Sequence, residues 1–237
     1  MRALLPFLRL FTTITVVLLA TVQLGFAADF SRVRPERAGM SSERLDRLDT
    51  VLKSYVENEQ LAGQVAMVLR KGRVVFSAAN GWQDKAAGIP MSEDSIFRIA
   101  SQTKALISTG IMILHERGQL DISHPLSRYI PEWENMKVAV SEADGSYRLE
   151  DARRPITIRH LLTHTGGVSY GSGPARDQWQ QAGFQGWYFA DRTEPVLESI
   201  KRMAALPLDQ HPGEEYIYGY NTDILGAVIE VASGKDL

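Results

Sequence analysis

The run from Ala105 to Leu114 constrains this chain more than any other segment. Ala105, Leu106, Ile107, Ile111, Met112, Ile113 and Leu114 cover more than one face of a helix, and a helix that is apolar on several sides has to be enclosed by protein. Gly118 supplies its C-cap. Upstream, Ser41 or Ser42 caps a helix with Glu43 in its first turn, and Leu45, Leu48, Leu52, Tyr55 and Val56 recur at helical spacing until near Gly63. Val65 to Leu69 and Val74 to Phe76 flank Arg70-Lys71-Gly72-Arg73, which predicts a β-hairpin with glycine in the turn. Gly81, Gly88 and Pro90 mark a loop.

Downstream the pattern is almost wholly helical. Residues 132–154 are polar and charged and read as a surface excursion. Ile156 to Leu162 predicts a small helix, Thr163 to Gly173 a Gly/Ser/Thr-rich loop, and Pro195 to Leu206 another helix. A last helix starts near Asn221 or Thr222 and carries Ile224, Leu225, Val228 and Ile229. Two strands alone make no stable sheet, and the sequence stops at Ser233-Gly234-Lys235-Asp236-Leu237 directly after a helix. The expectation is the N-terminal part of a longer protein.

Composition narrows the chemistry. There is no cysteine among the 237 residues, so disulfides and thiolate metal sites are excluded. A formal charge of -2, with both signs scattered, gives no footprint for nucleic acid. Arg2 and Arg9 precede an apolar stretch from Leu10 to Leu24, and Gly25-Phe26-Ala27 follows with small residues at the two positions a signal peptidase needs. Residues 1–27 therefore read as a secretory signal, with a retained N-terminal anchor as the alternative. Cleavage leaves residues 28–237, with no stable membrane span expected and a periplasmic or secreted bacterial location.

One spacing carries chemistry. Ser101-Gln102-Thr103-Lys104 is the chain's single S-x-x-K. Residues three apart on a helix lie on one face. A serine hydroxyl needs a base within hydrogen-bond reach, and lysine can serve if burial lowers its pKa. A serine at a helix start also has backbone N–H groups that favour a developing oxyanion. A helix-start serine beside a snorkelling lysine would spell the same tetrapeptide.

The surroundings of that tetrapeptide are more specific. Phe97-Arg98-Ile99-Ala100-Ser101-Gln102-Thr103-Lys104, Gly118-Gln119-Leu120-Asp121-Ile122, Leu161-Leu162-Thr163-His164-Thr165-Gly166-Gly167-Val168, and Pro212-Gly213-Glu214 with Asn221-Thr222-Asp223-Ile224-Leu225-Gly226 are collinear. Together, from about residue 35 to 237, they resemble the class C β-lactamases, D-Ala-D-Ala peptidases and β-lactamase-like esterases. The resemblance implies an α+β, β-lactamase/transpeptidase-like fold, with an antiparallel sheet and flanking helices packed on an all-helical region. It also implies that Ser101 is the nucleophile and Lys104 its partner, and that no cofactor or metal is needed. The family's third motif is a Lys-Thr-Gly or His-x-Gly-like strand, and the expectation is that no such triad occurs in this sequence.

The family's second motif supplies a tyrosine. Tyr216, Tyr218 and Tyr220 are candidates, and in an extended segment all three point the same way. The resemblance selects Tyr218, eight residues before Gly226. A strict Tyr-x-Asn would place asparagine at 220, where tyrosine stands; Asn221 is one place late and is a candidate either for substrate binding or for the helix N-cap.

Three further features compete for attention. Gly167-Val168-Ser169-Tyr170-Gly171 spells G-x-S-x-G, but that elbow needs a strand before the serine and a helix after it, and a glycine-rich loop is expected instead. His160 and His164 stand four apart, without the glutamate of H-E-x-x-H; the resemblance makes this stretch structural. Trp179, Phe184, Trp187, Tyr188 and Phe189 crowd eleven positions, as a pocket wall or, more commonly, as core. The function expected is acyl-enzyme hydrolysis of a small-molecule ester, β-lactam or peptide, with an esterase ahead of a peptidase or β-lactamase. The alternative is a non-catalytic penicillin-binding-like or remnant protein with an incomplete site.

Overall fold

The computed structural model describes residues 30–237 apart from Asp191. The expected signal sequence lies outside the described residues. The chain divides into two compact units, which meet in sequence between Arg98 and Ile99.

In the first unit, helix α1 (Ser42–Glu57) begins at Ser41, whose side chain accepts the Arg44 N–H. It ends about five residues before Gly63. The predicted hairpin forms as β1 (Gly63–Arg70) and β2 (Arg73–Asp84), antiparallel, with a register shift at Val68/Leu69. Strand β2 runs on through Gly81, where a loop was expected, and pairs with a short β3 (Ile89–Pro90). Ala38, Leu45 and Val75 form the small buried cluster of this unit.

The second unit holds the main core. Helix α2 (Thr103–Glu116) follows a 3-10 turn at Ala100–Gln102, and Gly118 ends the segment in the left-handed conformation. Among the described residues the helix is only partly enclosed. Ile111 and Leu114 are buried, whereas Leu106, Met112 and Ile113 stay exposed. Its inner side rests on α6 (Asn221–Ser233), which also receives α3 (Ile158–Leu162) and α5 (Val196–Met203). The polar stretch 132–154 is likewise more than an excursion. It makes a two-stranded antiparallel ribbon, β4 (Lys137–Ser141) with β5 (Tyr147–Asp151), and buries Met136, Val138 and Ala139. Lys137 and Ala139 exchange backbone hydrogen bonds with Leu208, fixing the ribbon to the core.

Most of the aromatic crowd is core. Trp179, in α4 (Arg176–Gln181), is buried with its indole N–H on the Pro207 carbonyl at 3.0 Å, and Phe184 and Tyr188 are buried beside it. A buried indole needs such an acceptor. Trp187 is the exception and lies on the surface. No helix among the described residues is long and apolar enough to cross a membrane.

Candidate active site

Ser101 sits in the 3-10 turn that feeds α2. The residue before it, Ala100, has φ +46°. For a residue with a Cβ this left-handed conformation costs about 1–2 kcal/mol. The turn leaves Ser101 exposed at the N-terminal end of the helix, with Lys104 three residues on and half-buried.

The tyrosine arrives from far along the chain. Tyr218 donates its hydroxyl hydrogen to Ser101 Oγ at 2.8 Å, across 117 residues of sequence. Lys104 Nζ lies 4.8 Å from the centroid of the Tyr218 ring, and donates to the Tyr170 hydroxyl at 3.3 Å. Ser101, Lys104 and Tyr218 are thus brought together.

Local packing explains how Tyr218 is aimed. The three tyrosines do not point the same way, because the segment is irregular and not a strand. Tyr216 is 67 % exposed and Tyr218 42 %, but Tyr220 is only 1 % exposed, so it belongs to the core. Gly219 lets the chain between the last two pass against Val168 and Ser169, whose backbone a Cβ there would overlap. The His164 carbonyl accepts the Ile217 N–H at 2.7 Å, and the Thr165 carbonyl accepts the Gly213 N–H at 2.7 Å. The His164 ring stacks on Tyr218 with centroids 4.9 Å apart. His160 accepts the Thr157 N–H in a capping box at the start of α3. Both histidines are therefore committed to local structure. Among the described residues no group of three or more His, Cys, Asp or Glu could hold a metal ion.

Asn221, the substrate-binding candidate, occupies an interior position. It is fully buried at the first position of α6, with Tyr220 in the cap position. Its amide nitrogen lies 2.9 Å from the Val168 carbonyl, 3.1 Å from the Ile217 carbonyl and 3.3 Å from His164 Nδ1. Its amide nitrogen ties the 164–168 and 217 stretches to the start of α6, while its Oδ1 is buried without a hydrogen-bond partner among the described residues.

Ser169 is also a structural residue. It is buried, and its Oγ accepts the N–H groups of Gly171 and Ser172 at 3.0 and 3.1 Å. Neither a strand precedes it nor a helix follows directly. The expectation that no His-x-Gly triad occurs is corrected: His164-Thr165-Gly166 and His211-Pro212-Gly213 both spell it, although both lie in loops and not on a strand.

The electrostatics differ from expectation at one point. Burial pulls the Lys104 pKa down, as anticipated, but hydrogen bonds to Tyr218 and Tyr170 outweigh it and hold it above the ordinary lysine value. Lys104 is an ammonium ion at neutral pH. Tyr218 is shifted the other way: its hydrogen bonds to Ser101 and Lys104 lower its pKa. Burial, with the nearby Lys104 charge, keeps His164 below the ordinary histidine value and neutral. Burial also raises Asp223, in the first turn of α6, to about 6 against an opposing pull from Lys104.

Sequence reasoning missed Tyr170. It was read only as the fourth letter of a G-x-S-x-G match. Nothing in its local sequence signals a contact with Lys104, 66 residues away.

Comparison with known proteins identifies the family and the fold. A family profile described as Beta-lactamase matches residues 48–237. Esterase EstB from Burkholderia gladioli is 36% identical over 195 residues, spanning 81% of this chain and 46% of that protein. The ML-236A carboxylate methylbutanoyltransferase from Penicillium citrinum is 30% identical over 86% of this chain and 49% of its own length. Among solved structures, EstCE1, described as a hydrolase with promiscuous acyltransferase activity, superposes with TM-score 0.66 at 29% identity, over 81% of this chain and 48% of that one. Unliganded simvastatin synthase from Aspergillus terreus superposes with TM-score 0.63 at 28% identity, over 83% of this chain and 50% of that one. The chain spans about half the length of these relatives. Its fold is the α+β, β-lactamase/transpeptidase-like one, with antiparallel sheets and helices. The chain belongs to the Beta-lactamase family, whose members include serine esterases and acyltransferases.

Proposed function

We propose that the whole protein is a serine esterase that works through an acyl-enzyme on Ser101. The observation that carries this reading is the 2.8 Å contact between the Tyr218 hydroxyl and Ser101 Oγ, beside a charged Lys104. An ammonium ion favours the phenolate of a neighbouring tyrosine, so Tyr218 is the general base and Lys104 its electrostatic support. Tyr218 takes the Ser101 proton as Oγ attacks the ester carbonyl carbon, then gives it to the departing alkoxide. Water hydrolyses the acyl-enzyme, again with Tyr218 as base. The Ser101 backbone N–H, at the helix start, supplies one oxyanion donor. Esterase is preferred over β-lactamase or peptidase because the relatives described above act on esters or transfer acyl groups. Transfer of the acyl group to an alcohol instead of water is the second reading, favoured by the methylbutanoyltransferase relative.

The pair titrates as a unit. Activity rises with pH as Tyr218 loses its proton and falls again as Lys104 loses its own, giving a bell-shaped profile. The test is burst release from a chromogenic ester and a chromogenic cephalosporin by the full-length protein. A burst with the ester alone, absent in Ser101→Ala, is expected. Equal turnover by Ser101→Ala sinks the nucleophile assignment, and a folded full-length protein that reacts with neither substrate points to a non-catalytic binding protein. Residues 1–27 are proposed as an export signal on their basic start and apolar stretch. An exported protein whose N-terminal sequence begins at Met1 would sink that.

A further inference from the structure

Lys104 is held by two tyrosines, and the mechanism above uses only one. The other, Tyr170, is built into the wall of the site. Its carbonyl accepts the Gly186 N–H at 3.2 Å. Its ring stands edge-on against Tyr220, centroids 4.8 Å apart at 89°. Tyr220 is fixed in turn by donating to the Gly186 carbonyl at 2.9 Å and by stacking on the buried Trp179 at 9°. Tyr170 also meets the Tyr218 ring edge-on at 5.7 Å. Lys104, by contrast, is a flexible side chain with four rotatable bonds near the surface, and holding it in one place costs rotamer entropy. A hydroxyl on a rigid aromatic base offsets that cost by giving the ammonium a fixed acceptor.

We propose that Tyr170 is a positioning residue for Lys104: its hydroxyl holds Nζ against the Tyr218 ring and so sets the alkaline limit of Ser101 acylation. The two phenols around Nζ are suited to different tasks. Tyr218 touches Ser101 and has a lowered pKa, whereas burial raises that of Tyr170 despite its bond to Lys104. Tyr170 therefore stays a neutral phenol and accepts from Lys104 without competing for the proton that moves. The other titratable groups that act on Lys104 or are acted on by it are His164, kept neutral, and Asp223 on α6. This inference rests on the esterase reading only for its rate effect; the contact itself does not depend on it.

The test separates the two. In the full-length protein, Tyr170→Phe keeps the ring and removes the acceptor. The Lys104 titration is followed by carbon-13 NMR of labelled lysine, with Lys104→Arg for assignment. Loss of the hydroxyl should move the Lys104 titration to lower pH, because the ammonium loses an acceptor. Labelling of Ser101 by a fluorophosphonate probe is measured across pH in parallel. The labelling rate should fall on the order of 10- to 100-fold, with the alkaline limb moved down, and KM for the ester should change little. Tyr220→Phe is the structural control. It should lower stability while leaving the Lys104 titration in place. An unchanged Lys104 titration in Tyr170→Phe overturns the proposal, as does an equal displacement in Tyr220→Phe. If the wild-type protein fails to label at Ser101, the nucleophile reading fails, and the Lys104 titration still decides the role of Tyr170.

Discussion

Ser101 and Ser169 stand in the same unit, each in a short motif that spells a nucleophile. The turn around Ser101 is strained at Ala100 and exposed, and its serine meets a tyrosine beside a charged lysine. The loop around Ser169 is buried, and its serine oxygen is occupied by two backbone N–H groups. The first arrangement leaves a hydroxyl available and, on the proposed reading, supplies a base. The second satisfies the hydroxyl and spends it on shape. A motif therefore identifies chemistry only when the fold leaves its reactive atom unspent. The two regions are also joined. Gly219 packs the Tyr218–Tyr220 segment on the Val168–Ser169 backbone, so the G-x-S-x-G loop is the floor beneath the tyrosine that reaches Ser101.

The sharpest way to break this contrast is to exchange the roles. On the proposed reading, Ser101→Ala should reduce ester turnover on the order of 1,000-fold or more, while Ser169→Ala keeps turnover within about tenfold. Steady-state kinetics on the full-length protein measures both, and the reverse ranking would make Ser169 the nucleophile. Next in size is the link between the loops. Gly219→Ala forces the tyrosine segment off its floor and should lower kcat on the order of 100-fold, since a displacement of about 1 Å at a catalytic group can cost that much. Turnover near wild type in a correctly folded variant would mean that Tyr218 does not depend on this packing.

Two stability measurements refine the comparison. Ser169→Ala leaves the Gly171 and Ser172 N–H groups without their acceptor and should cost about 1–3 kcal/mol in urea unfolding. No loss would mean water replaces the hydroxyl freely. The smallest effect is expected at the strained turn. Ala100→Gly relieves a left-handed conformation and should gain about 1 kcal/mol. A loss would mean that the side chain of Ala100 contributes more than its backbone conformation costs.

Much of the fold was legible because it depends on local pattern. The α1 periodicity, the hairpin turn at Gly72, the C-cap at Gly118 and the start of α6 at Asn221 all follow from spacing and punctuation. The ribbon at 137–151 was hidden because it is rich in charged residues, and its inward side is short: Val138, Ala139 and their neighbour Met136 are buried, with Val140 and Tyr147 partly buried against the core. The enclosure expected for α2 is partial among the described residues. Hydrophobicity states that a face favours burial, and only packing shows what covers it, so Leu106, Met112 and Ile113 remain exposed. At the site, Tyr216, Tyr218 and Tyr220 were indistinguishable by alternation. Their different fates depend on an irregular backbone passing Val168 and on Asn221 pinning that backbone from behind.

The sequence by itself determined the Ser101–Lys104 spacing, the helix that presents it and the family to which the chain belongs. These are properties of residues near one another or of order along the chain. Tertiary structure decided which tyrosine reaches Ser101, that Asn221 is buried, and that Lys104 remains charged. Those outcomes depend on groups 50 to 120 positions apart. A pKa is the balance between burial and partners, and no local pattern contains either.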